Sequence, residues 1–230
     1  MKKCSVLVPV CFAFLTGCAV LPRHAAPPPE RPAVPAPEAD ADAYRLETLA
    51  MDISSRAKNL LYSDIERYAE QIFGAPETVA IPVPVFYLHP GESKEVDARE
   101  VISYPHAPAD PGDPEAVEWR EAPIGLYARA ALELTDDGVP VIELKIEDHN
   151  PVVMQEVRAP DTDRHYRPIS NHFSFERRAQ VAPAAWEVVG GGSVPVERKT
   201  LVGRDRIERE NVRVWRMVLV RLAPPGEHAD

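Results

Sequence analysis

Two rhythms of apolar positions divide the chain. Between Ala41 and Pro76, Leu46, Leu49, Ile53, Leu60, Ile65, Tyr68 and Ile72 recur at near-helical spacing, with Ala50, Ala57 and Leu61 beside them. That period predicts an amphipathic helix over 41–76, with a break near Ser54 and Ser55. Asp40 and Asp42 offer N-caps and early negative charge. Asp52 and Arg56 offer an i,i+4 ion pair, and Gly74 with Pro76 a stop. The apolar stripe of such a helix either docks on the rest of the protein or stays open to a partner; docking is the plainer expectation.

From Thr78 the period shortens to two. "TVAIPVPVFYLH" is rich in β-branched and aromatic residues, but Pro82 and Pro84 remove donors on one side, which predicts an edge strand or extended arm. "EVDAREVISYP" is a second strand and "HAPADPGDPEA" a loop. Ile124, Leu126, Ala128, Ala130, Leu132 and Leu134 alternate on one face, "TDDG" turns, and Ile142, Leu144 and Ile146 return. The Asp137-Gly138 pair marks this as a hairpin. "VVMQEVRA", "HFSFERRAQV", "AWEVV", "SVPVERKTLV" and "NVRVWRMVLVRLA" follow as further strands. The last is apolar on both sides in its second half, as expected of a strand covered on two faces. About eight to ten short strands with turns between them predict a mainly antiparallel β-sandwich or partial barrel over 77–224, with a tail at 225–230. With the helix, the expected class is α+β.

The chain opens differently. Lys2 and Lys3 precede an apolar run from Cys4 to Thr16, too short for a lasting membrane span but of signal-peptide length. It ends Leu15-Thr16-Gly17-Cys18, which resembles the lipobox of bacterial lipoproteins. The resemblance implies a signal peptide at 1–17, removed before Cys18, and a diacylglyceryl thioether on the Cys18 sulfur. It also implies an anchor in the membrane through acyl chains on that residue. Ala19 resembles the default class sorted to the outer membrane, on its periplasmic face. Residues 18–40 then join the lipid to the body. "LPRHAAPPPERPAVPAPEAD" has no apolar period and many prolines, so it predicts a polyproline-type tether reaching about 60 Å at ~3.1 Å per residue.

Charge and cysteines follow from this reading. Cys4 and Cys11 leave with the signal and Cys18 carries lipid, so the mature body has neither thiol nor disulfide. The formal charge of −10 becomes about −12 without Lys2 and Lys3. An acidic chain lacks the basic footprint that nucleic acid requires.

Candidate chemistry is thin. Gly190-Gly191-Gly192-Ser193 lacks the lysine of a phosphate loop and is followed by Val194-Pro195, so it predicts a hairpin tip. His149, His165 and His172, with Asp161 and Asp163, hold metal-ligating types at loop-like spacing. Their convergence would mark a metal-assisted hydrolase. There is no Gly-x-Ser-x-Gly elbow and no cofactor motif. Trp119, Trp186 and Trp215 are core anchors or, for Trp119 in an acidic stretch, an exposed contact. The first expectation is a lipid-anchored envelope protein that binds another protein as an accessory or assembly subunit and is not an enzyme. A periplasmic ligand- or cell-wall-binding module is the alternative.

Overall fold

A computed structural model describes residues 25–26, 30–106, 118–157, 165–202 and 206–226. The signal peptide at 1–17, Cys18, Asp161, Asp163 and the "HAPADPGDPEA" loop from 107 onward lie outside the described residues. Of those described, 66% are in strands and 10% in helices. The expected α+β class is therefore corrected to a mostly β protein, and the long helix over 41–76 is absent.

In its place stand strand β2 (Tyr44–Ile53) and two helices of nine residues, α1 (Ser55–Ser63) and α2 (Ile65–Phe73). Preceding them is a two-residue strand, β1 (Ala25–Ala26). The reason for the misreading is burial on both sides. Leu46 and Ala50 face one core while Met51 and Ile53 face another. A strand covered on two faces loses its alternation, and Leu, Glu, Ala and Met are good helix formers. Pairing overrides that propensity: Arg45 to Ile53 ladder onto Ala223 to Trp215. The helices start where the break was expected. Ser54 Oγ accepts from Ala57 N at 3.2 Å and Asp64 Oδ1 from Arg67 N at 3.1 Å, each satisfying a first-turn donor. Gly74 closes α2.

The remaining strands are β3 (Val79–Ile81), β4 (Phe86–Leu88), β5 (Ser93–His106), β6 (Glu118–Leu134), β7 (Pro140–Val157), β8 (His165–Gln180), β9 (Trp186–Val202) and β10 (Arg206–Ala223). They form two antiparallel sheets. One runs β5-β6-β7-β8, with β1 beside the far half of β7. The other runs β9-β10-β2, with β3 and β4 sharing the outer edge of β2. Pro82 and Pro84 fall between β3 and β4, where no ladder needs their donors. Leu126, Leu144, Val218 and Leu222 meet between the sheets, while Leu61, Ala69 and Ile72 cover Met217 and Leu219 on the other side of the second sheet. The order of layers is helices, sheet, sheet.

Ten strands lie among the described residues, within the number expected, but β6 to β10 are 16 to 18 residues long rather than short. The glycine run is not a hairpin tip. It lies inside β9, opposite a register shift between Val218 and Leu219. A Cβ on Gly190 would stand 2.2 Å from Phe175 Cε2, so the missing side chain admits the Phe175 ring from the opposite sheet. In the pairs β5–β6, β7–β8 and β9–β10 the first strand ends and the second begins on the same side of the molecule, the hairpin-tip end. The β6–β7 turn at 135–139 and the β8–β9 connection lie at the other.

Candidate functional site

Towards the hairpin-tip end the sandwich core gives way to charged and polar groups. The change begins at Gly125. There β6 stops pairing with β7, the final matched pair being Gly125 with His149. Gly125 has φ +105°, and a Cβ would lie 2.3 Å from the Ala98 carbonyl oxygen, so only glycine permits this departure. Beyond it, Glu118–Ile124 pair with β5 alone, and this arm brings the Trp119 ring edge-on to His165, with centroids 5.0 Å apart.

The place beside β7 that β6 leaves is taken by the N-terminal segment. Ala25 and Ala26 pair with Gln155 and Met154. Arg31 donates to the carboxylate of Asp148, which is 1% exposed. Val34 packs on the inter-sheet core, and Asp40 meets His89 at 3.1 Å. Residues expected to be a free tether thus lie along the body. Burial pulls the Arg31 guanidinium below its ordinary pKa, and its Nε is buried without a partner.

A second carboxylate, Asp52, is buried nearby. Arg216 grips it with both arms, Nε to Oδ1 at 2.9 Å and Nη2 to Oδ2 at 3.0 Å, and lies over the Phe173 ring at 4.2 Å. Asp52 therefore does not serve the helical pair with Arg56 expected from spacing. Asp52 and Asp148 line a cavity of about 40 Å³ with Asn150, Asn171, His172 and Arg198. That is room for a water or two and far below the ~300 Å³ of a small-molecule site. Asn171 also joins the sheets. Its Nδ2 donates to the Lys199 carbonyl at 3.3 Å and its Oδ1 accepts from Lys199 N at 3.0 Å, so one amide serves both backbone groups of a β9 residue.

The three histidines do not converge. His149 and His172 face each other across β7 and β8 and stack at 4.5 Å. His165 lies seven residues further along β8, about 24 Å at ~3.4 Å per residue. No group of three or more metal-ligating side chains occurs among the described residues. Burial lowers the pKa of both stacked rings; the His172 charge adds to this at His149, and Arg216 does so at His172. Trp186 is buried, Trp215 donates to Ser55 Oγ at 3.2 Å, and Trp119 is 52% exposed. The Arg31–Asp148 contact was invisible in sequence, since nothing local pairs a proline-rich segment with a residue 117 positions away.

The other exposed feature is an edge. β5 ladders onto β6 over all fourteen residues, and no second strand pairs with it among the described residues. Val101, on this strand, is 60% exposed. No helix of the described residues is long and apolar enough to cross a membrane.

No family model and no curated protein matches the chain. Among solved structures it is similar to InvG, the secretin of the Salmonella SPI-1 type III secretion injectisome. The cryo-EM structure of that secretin aligns at 17% identity and TM-score 0.37, over 79% of this chain and 60% of that one. The InvG secretin-domain β-barrel aligns at 15% and 0.37, over 78% and 60%. InvG in the basal body with PrgH and PrgK aligns at 17% and 0.37, over 79% and 43%. This chain thus spans 43–60% of the length of those it matches. A likeness at this level assigns neither fold family nor function.

Proposed function

We propose that this protein is a lipid-anchored component of a bacterial envelope, held in the outer membrane by acyl chains on Cys18, that binds another protein as an accessory or assembly subunit. The order Lys2-Lys3, apolar run, Leu15-Thr16-Gly17-Cys18 supports the anchor. The observation that carries the partner is the open edge of β5. Alternate backbone groups along β5 face away from β6, where an added strand would pair, and Val101 supplies an apolar side chain on the same strand. The polar cavity between the sheets, about 40 Å³, is too small for a metabolite and so does not support a ligand-binding role.

The test has two arms. The N-terminal peptide of the native protein should begin at Cys18 and carry acyl mass, and Cys18→Ser should remove the protein from the membrane fraction. A photo-crosslinking residue at Val101 in intact envelopes should trap one protein adduct that is absent with the same residue at Val139. That adduct should be lost when Glu100→Pro and Ile102→Pro break the edge. An unmodified Cys18 rejects the anchor; equal adducts at both positions reject the edge as the binding surface.

A further inference from the structure

The docked N-terminal segment fixes which end of the body meets the lipid. β1 runs antiparallel to β7, opposite Gln155 and Met154, close to where β7 ends at Val157. The chain therefore joins the body from the hairpin-tip end. From there it runs back along the body, through Arg31 at Asp148 and Val34 at the core, to Asp40 at His89. At that far end the Gly226 amide donates to the Ala41 carbonyl at 3.2 Å. Most of the proline-rich stretch is thus spent on the body's own surface. Only residues 19–24 remain between Cys18 and β1. Seven residue steps, fully extended, cover at most about 25 Å.

The body is longer than that. From Val202 to Trp186, β9 alone spans about 54 Å at ~3.4 Å per residue, and Val139 lies beyond, at the opposite end. We infer that the protein stands on the bilayer with its hairpin-tip end towards the lipid, on a leash of about 25 Å rather than a 60 Å spacer. This inference rests on the lipid-anchor reading above. The surface that meets the headgroups is the end carrying Trp119, 52% exposed, and Val202, 37% exposed. An indole at that end has the apolar ring and polar N–H that favour a membrane interface. The turn carrying Val139 points away from the membrane. Lysines and arginines near the tips alternate with acids, as in Arg120 with Glu118 and Arg209 with Glu197, so the leash, not a basic patch, sets the orientation.

The experiment places a photo-crosslinking amino acid at Val202 or at Val139 of the acylated protein in phosphatidylethanolamine–phosphatidylglycerol vesicles and measures lipid adducts. Val202 should give several-fold more than Val139. Insertion of twenty Gly/Ser residues between Val20 and Leu21 should erase most of that difference. Arg31→Glu, set against Asp148, should weaken it in the same direction by releasing the strap. Equal yields at the two positions, an excess at Val139, or a bias that survives the insertion would overturn the inference. Should the native protein carry no acyl group, the anchor reading fails by itself. The geometry is then still tested by coupling Cys18 to a maleimide lipid in the Cys4→Ser, Cys11→Ser chain, with the same outcomes deciding.

Discussion

At the scale of single residues, two buried carboxylates set the terms for the tip end of the sandwich. Asp148 is nearly inaccessible and has Arg31 as its counter-charge. Arg31→Ala should cost about 3 kcal/mol in urea unfolding, because it leaves a desolvated charge unpaired. Arg31→Met combined with Asp148→Leu should recover most of that loss, since the pair is then replaced by packing. The stacked histidines act in the opposite sense to an ion pair. Both have a folded-state pKa below their ordinary value of about 6.5, so below that pH the unfolded chain takes up protons that the folded chain resists. Their contribution is intact at neutral pH and is lost as pH falls through the ordinary value towards the lowered one. The unfolding midpoint should drop between pH 7.5 and 5.5, and His149→Gln or His172→Gln should flatten that drop.

At the scale of elements, α1 and α2 are each two and a half turns and would not hold alone. Their stability comes from Leu61, Ala69 and Ile72 on Met217 and Leu219. Leu61→Ala should destabilise the protein by about 2–5 kcal/mol, whereas Leu60→Ala on the exposed side should stay within ~0.5 kcal/mol. Legibility followed the same logic. The β6–β7 hairpin could be read because Leu126 to Leu132 alternate and Asp137-Gly138 turns. β10 could be read as doubly buried because Val218 and Leu219 are adjacent and both apolar. β2 could not, since its two covered faces imitate a helical stripe and its partner is 170 residues away. The glycine run was misplaced because its reason, the Phe175 ring, comes from another sheet. At the site, the types were visible in His149, His172 and Trp119 but the neighbours were not. Arg31 gave no local signal, and the departure of β6 at Gly125 rests on one backbone angle.

At the scale of the whole molecule, sheets and helices converge on the partnership of β2 with β10. The earliest long strand pairs along most of its length with the latest one, while β3 and β4 take short stretches of its other edge. Removing residues 206–230 should therefore abolish the cooperative unfolding transition and leave β2, α1 and α2 without protection in amide exchange, rather than trim one edge. Sequential synthesis or threading through a pore delivers β10 last, so the second sheet and both cores must wait for it. Until the closing strand arrives, some 160 residues of half-matched polypeptide leave apolar surface open to aggregation.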